Sequence, residues 1–138
     1  MKLKKRHISL LVFCAYMAAV AYVCFARPES IPELKPDLFG IPIDKVLHFI
    51  LFLPYPVLAY IAFRPDNKGM RTHLTTLVTI LVIGICLAMG TEKIQGMSEY
   101  RSFEIEDFYA DVTGMVLSTV STAAWIMIKR RRNIPETK

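Results

Sequence analysis

Two polar segments of the sequence carry the side chains best suited to chemistry, and each adjoins an apolar run. The larger, residues 92–114, reads EKIQGMSEYRSFEIEDFYADVTG, and the smaller, residues 44–48, reads DKVLH. Carboxylates, an imidazole and a guanidinium bind charged or hydroxylated groups, transfer protons or hold a divalent cation. The candidate ligand-binding residues are Asp44, Lys45, His48, Glu92, Gln95, Arg101, Asp107 and Asp111.

Several of these side chains are costly where the sequence puts them. Asp44 and His48 are four residues apart, so they share one face of a helix, and His48 falls one turn inside an apolar run. An ionisable group at that depth is expensive without a partner. Asp44, Glu104 and Glu106 also fit as ordinary acids at a helix N-terminus, but Asp111 lies too far into its helix for that explanation. If the site is catalytic, the acid/base candidates are His48, Glu92, Asp107 and Asp111.

The sequence contains no established metal-ligand motif. One histidine with scattered acids is far from the spacing of zinc or calcium sites, so we predict no dedicated metal site. Cys14, Cys24 and Cys86 lie within apolar runs without a close pair, which favours small buried hydrophobic residues. No cofactor class follows from these residues.

Apolar runs determine the elements that must position the polar residues. Of the 138 residues, 54% are hydrophobic, and the mean hydropathy is +0.38. The excess forms four blocks of the length that spans a hydrocarbon core of ~30 Å. We predict an all-α fold, a single integral membrane domain with four transmembrane helices. They cover about 8–26, 45–63, 73–91 and 107–128, and a basic cytoplasmic tail follows at 129–138.

The first apolar run has a second interpretation. A basic start followed by an apolar stretch is also typical of a secretory signal peptide, although the length of this run favours an uncleaved helix. Cleavage would leave the orientation of the other three helices unchanged.

The charges predict an orientation in the membrane. The net charge is +5, and 12 of the 17 basic residues lie at the termini and in the second connection. The first and third connections hold 10 of the 12 acids. By the positive-inside rule, both termini are cytoplasmic and the polar segments face outward from a cytoplasmic (inner) membrane. This distribution argues against nucleic acid as a partner.

Prolines and small residues predict how the helices pack. Pro42 sits where a helix favours proline, and Pro54 and Pro56 predict a kink within the second helix. Small residues at four-residue spacing let the third and fourth helices pack closely, which brings their outer polar ends together. The helix-packing residues are Gly84, Ala88, Ala110, Gly114 and Ser118.

The two polar segments resemble those of the VanZ-like family of small membrane proteins. The match rests on DKVLHFILF at residues 44–52 and on residues 92–114. The family pattern has Asp-Lys and His at the head of one helix, Glu and Gln at the end of another, then Arg, Asp, Asn and Gly. Asp111 stands where the family usually has Asn, which adds a titratable group. The pattern falls here on Asp44, Lys45, His48, Glu92, Gln95, Arg101, Asp107, Asp111 and Gly114.

The resemblance implies a role at the outer face of the cytoplasmic membrane, in envelope or lipid-linked chemistry. The family is named for a member linked to resistance to the glycopeptide teicoplanin, and its biochemical activity is largely unassigned. Most members occur without such a resistance system, so the resemblance does not imply an antibiotic role for this chain.

Three functions fit these residues. In the first, the outward polar residues bind an envelope or lipid-linked ligand, with Lys45, His48 and Arg101 contacting phosphate or carboxylate groups and the acids accepting hydrogen bonds from sugar hydroxyls. The second is a membrane-embedded hydrolase or transferase on a lipid-linked substrate, in which His48 transfers protons and Glu92, Asp107 and Asp111 share a divalent cation. In the third, the polar residues join helices in a scaffold or subunit. The expected partners are membrane lipids and a lipid-linked glycan or peptide, and a homo-oligomer stays open.

Overall fold

Five helices and one short hairpin make up the part of the chain that the structure, a computed structural model, describes. These parts are residues 2–25, 37–38, 40–66, 69–98 and 103–132. In chain order the elements are α1 (Lys2–Phe25), β1 (Asp37–Leu38), β2 (Ile41–Pro42), α2 (Ile43–Phe52), α3 (Tyr55–Phe63), α4 (Met70–Gln95) and α5 (Ile105–Arg132).

The helices form four segments that are long and apolar enough to cross a membrane. These are Lys5–Phe25, Ile43–Phe63, Met70–Gln95 and Ile105–Arg132, and α2 and α3 together make the second. The predicted all-α architecture with four transmembrane helices is confirmed. The last helix continues through Lys129 to Arg132, because cations in a final turn complement the negative end of the helix dipole.

Proline divides the second segment, as the sequence predicted. A turn at residues 53–54 separates α2 from α3. Pro54 and Pro56 lack the N–H groups that would continue the helical hydrogen bonds. Beside this break, the hydroxyl of Tyr16 in α1 donates to the carbonyl of Leu51. A side chain of a neighbouring helix therefore satisfies backbone at the break, which is what a kink inside a membrane requires.

A two-strand hairpin leads into α2. The strands pair antiparallel, with Asp37 opposite Pro42 and Leu38 opposite Ile41, and Gly40 follows the first strand with a φ of 80°. Glycine adopts this left-handed conformation at little steric cost. Pro42 comes directly before the first residue of α2, so the hairpin places the polar start of that helix.

Two glycines determine which helices approach closely. Gly114 of α5 faces α2, where an added Cβ would lie 2.7 Å from the carbonyl oxygen of Phe49. Gly84 of α4 faces Tyr55 of α3 and Met115 of α5, where a Cβ would lie 2.5 Å and 2.6 Å from their side chains. The sequence assigned the small face of α5 to α4 alone. In the structure this face also admits the α2 backbone, because Gly114 has no side chain to separate the two helices.

The bundle has a thin core and an apolar outer surface. Leu77, Ala88 and Met115 are fully buried between helices. Large apolar side chains also point outward, including Leu11 at 71% and Val120 at 62% exposure. Apolar surface of this extent is costly in water and suits a lipid environment.

Candidate functional site

Three helix ends meet at one end of the bundle. They are the start of α2, the end of α4 and the start of α5, and their side chains are joined by ion pairs and hydrogen bonds. Lys45 pairs with Asp107 and His48 with Asp111, so α2 and α5 run in the same direction where they meet. We call these residues the polar cluster; its members are Asp44, Lys45, His48, Glu92, Glu104, Asp107 and Asp111.

Lys45 joins the starts of α2 and α5. Its Nζ lies 2.8 Å from Oε2 of Glu104, 2.9 Å from Oδ1 of Asp107 and 3.3 Å from Oδ2 of Asp44. The side chains of Lys45 and Asp107 are largely buried, whereas those of Asp44 and Glu104 are nearly half exposed. An ammonium group has three N–H donors, so three acids account for all of them.

His48 lies one turn deeper, with 8% of the residue exposed. Its Nδ1 is 3.0 Å from Oδ1 of Asp111 and 3.8 Å from Oε1 of Glu92, and its Nε2 is 3.5 Å from Oδ2 of Asp107. A carboxylate on Nδ1 orients the ring and selects which nitrogen carries the proton. This arrangement is chemically suited to proton transfer or to holding a cation at the other nitrogen.

Glu92, near the end of α4, is fully buried. The backbone N–H of Glu104 faces its carboxylate, but neither oxygen accepts a hydrogen bond from a described residue. The Oδ2 atom of Asp111 is likewise buried without a hydrogen-bond partner in the described part of the chain. Buried carboxylates normally have partners, because their desolvation is costly. Glu92 is therefore the most unusual side chain of the polar cluster.

Gln95 follows Glu92 by three residues but contacts another helix. Its side-chain amide donates a 2.7 Å hydrogen bond to the carbonyl of Cys24, at the end of α1. Gln95 is 3% exposed and Cys24 is 1% exposed. This bond fastens the end of α4 to α1 beside the polar cluster. A ligand-binding role for Gln95 stays a prediction.

The structure brings six of the eight sequence-predicted ligand residues into the polar cluster. Gln95, the last residue of α4, lies beside the cluster and bonds to α1, and Arg101 falls outside the described residues. The six are Asp44, Lys45, His48, Glu92, Asp107 and Asp111.

Sequence analysis missed Glu104 as a member of the site. It was interpreted as an ordinary acid at a helix N-terminus, but its carboxylate lies 2.8 Å from the Lys45 ammonium. The available signal was its position three residues before Asp107, which places two acids near each other. The identity of their shared cation depends on how α2 packs on α5, and that packing is not visible in the local pattern.

Among the described residues, carboxyl groups outnumber cations in the polar cluster. Five acids face one lysine and one histidine. Lys45 is already shared by three of the acids, and His48 by three. The cluster can therefore accept hydrogen bonds or positive charge more readily than it can bind an anion.

In the part of the chain that the structure describes, two groups of side chains have ligand atoms close enough to share a metal ion. His48, Glu92 and Asp107, all buried, offer atoms within 4.8 Å of one another. Asp44, Glu104 and Asp107 do so nearer the surface. Lys45 already contacts all three acids of the second group, which places an ammonium where an ion would sit.

Comparison with known proteins gives a family and a distant relative. The profile of the VanZ/LLP1 family matches residues 3–127. An uncharacterised protein of Schizosaccharomyces pombe, C11E3.10, is 31% identical over 109 residues, which cover 79% of this chain and 59% of the relative. The chain thus spans about three fifths of the length of that curated relative. No solved structure matches significantly.

Proposed function

We propose that this chain, which belongs to the VanZ/LLP1 family and has four helices able to span a membrane, binds the polar head of an envelope or lipid-linked ligand at its polar cluster. The cluster lies at one end of the apolar bundle, where a lipid headgroup would meet helix ends. The charge pattern of the sequence favours the outer face of a cytoplasmic membrane for this end. Glycopeptide resistance stays an expectation drawn from the family name.

The buried carboxylate of Glu92 is the observation that carries this proposal. A polar network that only joins helices gains stability from satisfied pairs, each worth about 0.6 kcal/mol in a membrane. Glu92 is fully buried, yet neither of its oxygens accepts a hydrogen bond from a described residue, and its contact with Nδ1 of His48 is long, at 3.8 Å. A group that costs stability in the free protein is typical of binding and catalytic sites, where function offsets the cost.

The excess of carboxyl groups favours a ligand that donates hydrogen bonds. Sugar hydroxyls, amides and ammonium groups donate to carboxylates, whereas a phosphate would compete with acids already around Lys45 and His48. The phosphate contacts that we predicted for these two residues are therefore less favoured than the sugar or amide contacts. Arg101 stays the predicted contact for an anionic group.

One observation favours a second function, a membrane-embedded hydrolase or transferase acting on a lipid-linked substrate. Asp111 lies 3.0 Å from Nδ1 of His48, and Asp107 lies 3.5 Å from its Nε2. A carboxylate that orients a histidine is a common part of general acid/base catalysis. Headgroup binding is the more economical proposal because it requires no nucleophile, and turnover of a lipid-linked substrate would favour the enzyme.

The Glu92→Gln variant tests the proposal, with Glu106→Gln as the matched control. Glu106 is an exposed acid in the first turn of α5. In one detergent, we expect the melting temperature of Glu92→Gln to equal or exceed that of the wild type, because the substitution removes a buried carboxylate that accepts no hydrogen bond from a described residue. In native mass spectrometry, we expect the wild type to retain a glycosyl diacylglycerol better than phosphatidic acid with the same acyl chains. Glu92→Gln should lose this preference and Glu106→Gln should keep it.

Each contrary result has a definite meaning. A clear fall in the melting temperature of Glu92→Gln would show that Glu92 holds helices together, which favours a scaffold. Equal retention of the two lipids by the wild type would contradict a site for hydroxyl-bearing headgroups.

A further inference from the structure

We infer that the buried part of the polar cluster binds one divalent transition-metal cation, with His48, Glu92 and Asp107 as its ligands. This inference deepens the proposed function and rests on the cluster being a ligand site. It departs from the sequence analysis, which predicted no dedicated metal site and considered a shared cation only for an enzyme, on Glu92, Asp107 and Asp111. The reason for the departure is three-dimensional, because the three ligands come from α2, α4 and α5.

His48 has fewer N–H donors than there are carboxylates around it. Three carboxylates face a ring that has at most two N–H groups. Asp111 and Glu92 both face Nδ1, and Asp111 is nearer, at 3.0 Å against 3.8 Å. One N–H cannot donate fully to both, so the ring gives Glu92 no full hydrogen bond even when it is doubly protonated. A cation supplies the interaction that the ring cannot.

The spacing of the ligand atoms suits one small ion. One ring nitrogen of His48, one oxygen of Glu92 and one oxygen of Asp107 lie within 4.8 Å of one another. Ligands about 2.1 Å from a shared zinc ion lie roughly 3 to 4 Å apart, so small side-chain adjustments close the site. Three protein ligands leave a position for water or for an oxygen of the bound headgroup.

The surrounding residues orient these ligands as the second shell of a metal site does. Lys45 lies 2.9 Å from Oδ1 of Asp107, which leaves Oδ2 toward His48. Asp111 lies 3.0 Å from Nδ1 of His48, so the ion would take Nε2, the nitrogen 3.5 Å from Asp107, and the Glu92 carboxylate, now 3.8 Å from Nδ1, would turn toward it. Carboxylate–histidine–metal arrangements use the same contact to fix the ring. Lys45 and Asp111 are therefore positioning residues for the ligands.

The donor set selects the class of ion. One imidazole nitrogen with two carboxylate oxygens suits Zn²⁺ or Mn²⁺, whereas Mg²⁺ and Ca²⁺ prefer ligands that are all oxygen. A divalent charge also neutralises two of the excess carboxylates. The outer acids, Asp44 and Glu104, are already paired with Lys45 and are not needed as ligands.

The test is a calorimetric titration, in which zinc chloride is added to the metal-stripped protein in detergent and the heat of binding is measured. We expect one Zn²⁺ per chain and no comparable binding of Mg²⁺. Glu92→Gln and His48→Gln should each weaken zinc binding at least tenfold, whereas Glu106→Gln should bind as the wild type does. With Co²⁺ as a spectroscopic probe, the visible absorption of the wild type should be lost in His48→Gln. Size-exclusion profiles establish that each variant is folded.

Two results would overturn the inference. One is the absence of stoichiometric zinc binding by the wild type. The other is equal zinc affinity in the wild type and in Glu92→Gln, which would place the ion elsewhere. If His48→Gln fails to fold, Glu92→Gln decides alone, because we expect that variant to be stable. Zinc binding without a headgroup preference would support the cation site and contradict the proposed function. A headgroup preference without zinc binding would support the proposed function and contradict the cation site.

Discussion

His48 and His73 lie at opposite ends of the bundle, and their surroundings differ in kind. His73, in the first turns of α4, is half buried, and its Nδ1 lies 2.8 Å from the hydroxyl of Tyr60. The neutral hydroxyl of Tyr60 gives this imidazole the hydrogen-bond partner that it needs. His48 is buried among three carboxylates that its ring cannot satisfy together. The first arrangement needs no function to explain it, whereas the second does.

The charged residues of the two ends differ in the same way. At the end of α5, residues 129–132 are cations on an exposed surface, and Lys129 lies 4.8 Å from the ring of Trp125. Hydrated cations beside a tryptophan are typical of a membrane interface. At the other end, Glu92 and Asp111 are fully buried. Among the described residues, charged side chains are buried at the polar cluster and exposed at the end of α5, so charge substitutions should have unequal effects at the two ends.

Lys45→Met should give the largest effect on stability. The substitution leaves Asp107, which is 12% exposed, and two outer acids without their shared cation. Removing one partner of a buried pair costs ~3–5 kcal/mol, and partial exposure lowers this to roughly 2–3 kcal/mol. The free energy of unfolding, measured by titration with a denaturing detergent, checks the value.

Lys129→Met is the matched control at the basic end. Lys129 is exposed and its contact with Trp125 is superficial, so we expect a change within about 0.5 kcal/mol. Equal losses of unfolding free energy in Lys45→Met and Lys129→Met would contradict the inference that charges are buried at one end of the bundle and hydrated at the other.

Much of the fold follows from the sequence, because hydropathy and proline act locally. Four apolar runs of bilayer length predict four spans, and Pro54 and Pro56 predict the break in the second. The residue types of the site could also be predicted, since an ionisable group one turn inside an apolar run is costly unless it is paired.

The pairing within the site could not be predicted in the same way. Helix periodicity shows which residues share a face of one helix, but it does not show which helix that face meets. Gly114 admits the α2 backbone, and this contact places Lys45 against Asp107 and Glu104. An interpretation that pairs only helices consecutive in the chain makes Glu104 an acid that complements the helix dipole. It gives Lys45 no partner in α5.

Gly114→Ala tests whether this contact holds the polar cluster together. The new Cβ would lie 2.7 Å from the carbonyl oxygen of Phe49, and because that atom is backbone, α2 must shift. Overpacking of this kind costs about 1–2 kcal/mol. We expect that loss in the free energy of unfolding, together with weaker zinc binding, because Lys45 and His48 move with α2.

Gly90→Ala is the control for this substitution. A Cβ at Gly90, in the interior of α4, meets no atom within 4 Å. Alanine should therefore leave stability unchanged or raise it by about 0.5–1 kcal/mol, as expected of a helix interior. A Gly114→Ala variant that behaves like Gly90→Ala would show that α2 and α5 tolerate separation, and the cluster would then depend on its ion pairs alone.

Of the three test substitutions, Tyr60→Phe should have the smallest effect, and it probes the end of the bundle opposite the polar cluster. It removes one hydrogen bond to His73 while keeping the buried ring, and His73 is exposed enough to find water or a lipid headgroup instead. We expect a loss of about 0.6 kcal/mol in the free energy of unfolding, with no change in zinc affinity. The exposed Tyr22, substituted in the same way, controls for the loss of a hydroxyl. If Tyr60→Phe weakened zinc binding, the two ends would be coupled through the bundle, because Tyr60 belongs to α3, on the far side of the proline break from Lys45 and His48.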